Sequence, residues 1–248
     1  MKIERSLRIA TLLVVAALMP FFTACNRLWS DIEPVSGSGH IVNSGRDVQP
    51  FDAVEFDGGF EVILTQSPAT TLQIETDSNL LSYIKSEVES GKLVIHSEGN
   101  LHPTKDIILH LSSPAYRSIE IAGSSQVHAT TPISSNDLSL AIHGSGVYDM
   151  EVHVGKLHSD IAGSGKFLLH GSASSHIIDV AGSGDIHADS LQTESTKVDI
   201  SGSGKAVLQV SRELDATVSG SGHVRYKGSV SQLHTSIAGS GSVEKIAE

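Results

Sequence analysis

Three aspartates that recur at a near-constant spacing are the residues best suited to chemistry in this chain. Asp160, Asp179 and Asp199 each stand three residues before a Gly-Ser-Gly tripeptide. If the segments of about 20 residues between these tripeptides stack as coils, neighbouring carboxylates lie about 5 Å apart. Such a column of oxygen ligands suits calcium. It is equally consistent with a solvated face whose charge is balanced by Lys166 and Lys205.

The other chemical groups follow no catalytic or metal-binding pattern. Thirteen histidines are scattered along the chain without a His-Glu-x-x-His motif, so we interpret them as polar side chains on strand faces. No Gly-x-Ser-x-Gly nucleophile elbow is present in the sequence. The repeated Gly-x-Gly lacks the third glycine and the helix that a dinucleotide site needs. The sequence therefore predicts no catalytic residue, no cofactor and, apart from the calcium candidates, no metal site.

These residues belong to a repeat that dominates the second half of the chain. Seven tripeptides recur every 18 to 21 residues; six read Gly-Ser-Gly, and the first has Ser125 in place of the second glycine. A period near 20 residues is typical of a solenoid of stacked coils. The leading glycines are Gly123, Gly144, Gly163, Gly182, Gly202, Gly220 and Gly239.

Aligning the repeats on these glycines separates apolar from polar columns. Residues four and six positions after the glycine are mostly apolar, and alternate with polar ones. Period two on both sides predicts two strands that meet at a glycine corner, with the corner serines forming a hydroxyl ladder between coils. The chain is therefore predicted to be all-β, a right-handed parallel β-helix with coils of about 20 residues. The residues two before each glycine are all β-branched and apolar: Ile121, Ile142, Ile161, Val180, Ile200, Val218 and Ile237.

A degenerate form of the repeat begins the first half, with Gly58 at its corner and Phe56, Val62 and Leu64 at inward places. The 65 positions from Gly58 to Gly123 are about three coil lengths. We expect one domain over 40–248, with degenerate coils and a cap in 40–116 and regular repeats in 117–248. Within the first part we expect strands at Thr71–Glu75, Leu93–His96 and Ile107–Leu111, a helical turn within Asn79–Lys85 and a hairpin corner at Ser90-Gly91.

The first 25 residues have the pattern of an export signal. A basic start precedes 14 mostly apolar residues, Ile9 to Phe22, which are too few to span a bilayer. Phe22-Thr23-Ala24-Cys25 resembles a bacterial lipobox, and Cys25 is the sole cysteine. We predict a signal peptide over 1–24, acylation of Cys25 by chains such as palmitate, and a flexible tether over 25–39. The alternative is an ordinary secretion signal followed by a chance cysteine.

The charge of the chain limits its partners. Residues 1–24 carry three basic and one acidic residue, so their removal shifts the net charge from −11 to −13. This acidity argues against nucleic acid and against electrostatic docking on anionic lipid. Membrane contact is therefore expected through the N-terminal lipid.

Several segments together resemble a known family. They are the lipobox, the Phe51 to Val62 segment (FDAVEFDGGFEV), the Gly91 to Ile95 segment (GKLVI) and the Ile-Ala-Gly-Ser-Gly corners. The combination resembles the putative auto-transporter adhesin head GIN domain family, found chiefly in Bacteroidetes-type bacteria. The resemblance implies a right-handed parallel β-helix on a cell-envelope lipoprotein, and supplies no catalytic residues.

The expected function is that of a non-enzymatic, monomeric envelope lipoprotein with an adhesin-like binding or scaffold domain. Its anchor would place it in the outer membrane, where it would face either the cell surface or the periplasm. Its ligand would be a glycan or a protein, although aromatic residues are only 4% of the chain, which disfavours a sugar-stacking platform. One alternative is a polysaccharide lyase or hydrolase, by fold analogy; another is a purely architectural spacer.

Overall fold

The glycine corners define the architecture of the computed structural model, which describes residues 33–247. Gly58 stacks on Gly123, and each later corner glycine pairs in parallel register with the corner glycine of the next coil. The result is an all-β solenoid of about seven turns with a coil spacing near 19 residues, so the predicted parallel β-helix is confirmed. The predicted signal peptide and Cys25 lie outside the described residues.

The strands of the described part are short before residue 130, long from Ile133 to Gly220, and short again after that. The N-terminal strands are β1 Val35–Ser36, β2 Ile41–Arg46, β3 Ala53–Gly58, β4 Glu61–Gln66, β5 Thr71–Asp77, β6 Ile84–Glu89, β7 Lys92–Ser97, β8 Leu101–His102, β9 Ile108–Ser113, β10 Ser118–Gly123 and β11 Gln126–Ala129. The repeat strands are β12 Ile133–Gly144, β13 Val147–Gly163, β14 Lys166–Gly182, β15 Asp185–Gly202, β16 Lys205–Gly220, β17 His223–Lys227, β18 Gln232–Gly239 and β19 Ser242–Lys245. A 3-10 helix occupies Leu81–Tyr83.

Each long strand is one coil, folded so that its two halves face each other across the core. In β13 every second residue is buried, and the alternation shifts once, at Gly155, where the strand turns. Tyr148, after one glycine corner, donates its hydroxyl to the Ile119 and Ala141 carbonyls, which precede corners. Its ring stacks on Phe167 of the next coil with centroids 5.1 Å apart. The two halves therefore enclose one continuous apolar column.

The corners require glycine because neighbouring coils touch there through backbone. At Gly182, φ is +130°, a region that side chains disfavour, and a Cβ would overlap the carbonyl oxygen of Gly163. A Cβ on the second glycine of a corner would collide with a β-branched side chain; at Gly165 it would lie 2.6 Å from Ile142 Cγ2. The β-branched column therefore fills the space that the missing side chains leave.

Ser125 departs from the Gly-Ser-Gly pattern for a local reason. Its side chain is fully buried. The hydroxyl donates to the Gly58 carbonyl at 3.0 Å and accepts from the Phe60 N–H at 3.1 Å. A hydroxyl thus joins this corner to the degenerate first coil.

The predicted ladder of serine hydroxyl groups is wrong, because the hydrogen bonds between successive corners are made by backbone N–H and C=O groups. The Ser164 N–H donates to the Gly144 carbonyl and the Ser183 N–H to the Gly163 carbonyl, each at 2.9 Å. The corner serine side chains are exposed, and within residues 33–247 none of their hydroxyls bonds to another hydroxyl of the column.

The segment between Gly58 and Gly123, about three coil lengths long, does not form coils between these two corners. The first coil pairs directly with the β10–β11 coil, so no coil lies between them. The intervening strands lie on the other side of the first coil. There β7 pairs in parallel with β3, and β9 pairs in parallel with β4. Three antiparallel pairings then end the stack: β6 pairs with β7, β5 pairs with β9, and β2 pairs with β5. We call β2, β5 and β6 the cap. The expected strands, the helical turn and the Ser90-Gly91 hairpin corner are confirmed within this segment.

The predicted tether over 25–39 is wrong in its last part, because residues from Val35 onward belong to the fold, and residues 25–32 lie outside the described part of the chain. Strand β1 pairs with β8. The buried Asp77 carboxylate accepts hydrogen bonds from the Gly39 N–H and from the Thr104 N–H and hydroxyl. The Thr104 backbone hydrogen bond lowers the pKa of Asp77, so the carboxylate stays charged and holds both segments.

The predicted inward column ends before the last coil. Ile237 is 46% exposed, unlike the six buried residues that precede it in the column. All eight residues of β18 are exposed, since β18 pairs with β16 on one side and has no second partner among the described strands.

Replacing a corner glycine should destabilise the stack strongly. We expect Gly182→Ala to cost about 3 kcal/mol or more, because the added Cβ meets backbone and φ is positive. Gly59→Ala is the control, since no atom lies within 4 Å of its added Cβ. Thermal unfolding followed by circular dichroism checks both; equal melting temperatures would show that the corner contact does not hold the coils.

Candidate binding surface

The sheet that precedes the glycine corners presents an ordered outer surface. We call it the leading face, formed by the outward residues five, three and one positions before each corner glycine. Parallel register places equivalent residues side by side across successive coils. From Glu55 to Ser236 this face crosses eight coils, or about 34 Å at 4.8 Å per coil.

The predicted aspartate column lies in the middle of the leading face. Asp160 pairs in register with Asp179, and Asp179 with Asp199. The basic side chains beside Asp179 and Asp199 come from the same face, at the position five residues before a corner glycine. His158 Nε2 lies 2.9 Å from an Asp179 oxygen, and Lys197 Nζ lies 2.9 Å from an Asp199 oxygen. The Asp199 hydrogen bond raises the pKa of Lys197.

Lys166 and Lys205 are not the balancing cations. Within the described residues neither forms an ion pair with the aspartate column. Both follow their corner by three residues, and therefore lie on the sheet beyond it. Side chains two apart on one strand share a face, which explains why the closer partners are His158 and Lys197.

A second charge cluster closes the N-terminal end of the leading face. Lys92 Nζ lies between the carboxylates of Glu55 and Glu120, and His143 Nε2 is 3.3 Å from Glu120. Glu55 first, and Glu120 after it, raise the pKa of Lys92. Lys92 thus balances part of the acidity at this end of the face.

No metal centre is formed by the protein groups that the structure describes. Over residues 33–247 no three His, Cys, Asp or Glu side chains converge as a metal site needs. Calcium binding by Asp160, Asp179 and Asp199 stays a prediction, and the geometry offers it a line of carboxylates rather than a cage.

Sequence reasoning missed a buried serine–histidine pair. Ser159 Oγ lies 2.9 Å from His176 Nε2, and both side chains are at most 1% exposed. His176 Nδ1 has no hydrogen-bond partner in the described structure. Substrate cannot reach this pair and no third group orients the imidazole, so it is not a catalytic dyad. The available signal was a serine and a histidine in columns that are otherwise mostly apolar.

Comparison with known proteins identifies the family. A family model described as "Putative auto-transporter adhesin, head GIN domain" matches residues 50–230, which span the first coil, β5 and β6 of the cap and most of the repeats. The chain belongs to this family. No protein of curated function matches it.

Solved structures share the head GIN fold. A putative adhesin from Bacteroides fragilis is 24% identical with a TM-score of 0.81, and the match covers 86% of this chain and 100% of that one. A putative lipid binding protein from Parabacteroides distasonis is 24% identical (87% and 100% covered, TM-score 0.73). A putative adhesin from Parabacteroides merdae is 24% identical (87% and 100% covered, TM-score 0.68).

The family indicates an envelope or surface protein. Within residues 33–247 no helix has the length and apolar character needed to cross a bilayer.

The buried histidine should make the fold acid-sensitive. Burial first, and the nearby His158 second, lower the pKa of His176 from 6.5 to about 3. As the pH falls, the unfolded chain therefore binds a proton at His176 before the folded chain does. The free energy of unfolding decreases as the pH drops from 6.5 towards 3, by up to about 4–5 kcal/mol.

Removing the pair should remove this part of the pH dependence. His176 stacks between Leu157 and Thr196, so His176→Leu with Ser159→Ala restores an apolar column without leaving a lone hydroxyl. We expect the double variant to lose less stability than wild type between pH 6.5 and 4, as measured by urea unfolding. The exposed His170→Leu change is the control. An unchanged slope in the double variant would refute the assignment.

Proposed function

We propose that this chain is a lipid-anchored, non-enzymatic binding protein of the cell envelope, held in the outer membrane through Cys25. Its solenoid would present the leading face to another surface. The observation that carries the proposal is this face itself: a rigid, in-register array about 34 Å long that presents acidic and basic side chains at regular positions.

The composition of the leading face suits close contact with a partner. Its last column is mostly small, with Ala122, Ala162 and Ala181 exposed or half-buried beside the corners. Ile177 lies between His158 and Lys197 on this face. Its side chain is 41% exposed and offers an apolar contact to a partner. Asp179 and Asp199 each have a basic side chain beside them, which lowers the positive charge that a partner must bring to these two positions.

Family and relatives support binding rather than catalysis. The family description is that of an adhesin head, and solved relatives are named as putative adhesins or, in one case, a putative lipid binding protein. In the described residues three serine–histidine pairs lie within hydrogen-bond distance. Ser159–His176 is sealed in the core, whereas Ser172–His153 and Ser242–His223 lie on the exposed surface. A polysaccharide-cleaving enzyme would need accessible acid and base groups that converge on a substrate.

The anchor is tested by fractionation of the producing cells. Cys25→Ala removes the thiol that the acyl chains would modify, so we expect either uncleaved precursor or soluble protein in place of membrane-bound mature chain. Thr23→Ser is the control and should fractionate as wild type. A Cys25→Ala protein that stays in the membrane fraction as mature chain would overturn the lipid anchor. Protease shaving of whole cells then distinguishes the cell surface from the periplasm.

Binding is tested with beads that carry the full chain and are applied to intact cells. Ile177→Asp with Lys197→Asp changes the centre of the leading face, and should reduce adhesion at least threefold. Val207→Asp with Lys205→Asp is the matched control, since it makes the same charge change on the sheet beyond the corner. No adhesion by the wild-type chain would refute a binding role, while equal losses for both pairs would refute the leading face.

A further inference from the structure

A groove of about 320 Å³ lies midway between successive glycine corners, where each coil makes its second turn. We call it the second-corner groove. Its floor is an in-register row of residues that are each less than a tenth exposed: Val154, Ala173, Thr193 and Val210. The row crosses four coils, so the groove is about 14 Å long.

The walls of the groove are polar and repeat from coil to coil. The residues immediately before the floor positions include Ser172, Gln192 and Gln209. Those immediately after them include Ser174, Glu194 and Ser211. Hydroxyl, amide and carboxylate groups therefore line both sides of a narrow apolar floor.

Unequal coil lengths interrupt the strand pairing at this groove. Between β15 and β16 the register shifts from Ala188 to Gln192, so three residues of β15 have no partner in the ladder. A second shift follows between Thr193 and Ser195, where β16 has one extra residue. Such bulges redirect side chains and interrupt backbone pairing. The glycine corners of the same coils stay in register, so the irregularity is confined to the groove side.

The floor of the groove is fixed by its own hydrogen bonds. The Thr193 hydroxyl donates to the Gln209 carbonyl at 2.8 Å and lies 2.8 Å from the Thr196 hydroxyl. The Ser211 hydroxyl donates to the Thr193 carbonyl at 3.0 Å. These bonds cross the bulge and join the coils on its two sides, so the groove is preorganised for a ligand.

The lining selects one class of ligand. Of the described residues that line the groove, none is Lys, Arg, His or aromatic. A phosphate, sulfate or uronate would meet the Glu194 carboxylate without a compensating cation. An acyl chain would meet polar walls and the Thr193 hydroxyl on the floor. A neutral polyhydroxylated ligand would instead find acceptors and donors on both walls and aliphatic carbon below.

We propose that the second-corner groove binds a neutral glycan. Gln192 and Gln209 each offer an amide donor and acceptor, and Glu194 accepts from sugar hydroxyls. This inference rests on the proposed binding role, and adds a second site, distant in each coil from the glycine corners, with its own ligand chemistry.

The test applies the full chain to immobilised neutral oligosaccharides of hexoses and N-acetylhexosamines, with uronate-bearing and sulfated oligosaccharides beside them. We expect capture by neutral probes only. Gln192→Ala with Glu194→Ala should weaken that capture at least tenfold, because two exposed polar contacts are lost while the buried floor is untouched. Gln126→Ala with Glu61→Ala is the matched control, since it removes the same chemistry from neighbouring strands β11 and β4.

Each outcome separates this inference from the broader proposal. Capture of anionic probes alone, or capture of neutral probes that both double variants weaken equally, would overturn the groove as a neutral glycan site. Capture of no probe by a chain that still adheres to cells would overturn the groove and leave the binding role standing. Failure in both assays would refute the binding role itself.

Discussion

The contact of one corner glycine with the carbonyl above it sets the rest of this structure. Each corner N–H donates to the carbonyl of a glycine one coil earlier, and the glycine Cα approaches that carbonyl too closely for any side chain. A coil that slipped by one residue would place a Cβ on that carbonyl and turn its apolar column outward. The corners therefore fix the register of every strand that leads into them.

Fixed register determines what the two sides of the coil can do. On the leading face it aligns acids and bases, so that His158 meets Asp179 and Lys197 meets Asp199. In the core it brings polar residues of neighbouring coils together, since Ser159 of β13 reaches His176 of β14. At the second corner no equivalent glycine stack runs through all coils, and there coil length varies and a groove opens. Rigidity on one side thus permits variation on the other.

Sequence periodicity predicts the regular part of this fold because side-chain pattern and coil length are both visible in it. The β-branched column, the corner positions and the adjacency of Asp160 and Asp179 all follow from the alignment. The cap does not, because period two is shared by parallel and antiparallel strands. Here β5 pairs antiparallel with β9, and β6 pairs antiparallel with β7. The ion partners and the groove were also missed, since they depend on side-chain direction and on small differences in coil length.

Hydrogen exchange at the corner serines tests this account most directly. Their side chains are exposed, yet the account requires the N–H groups of Ser164, Ser183 and Ser203 to be bonded to glycine carbonyls of the preceding coil. It predicts that these amides exchange as slowly as the adjacent strand amides of Ile161 and Val180, because both need the stack to open. Exchange at the rate of a free surface turn would contradict it, and would mean that side-chain packing alone sets the register.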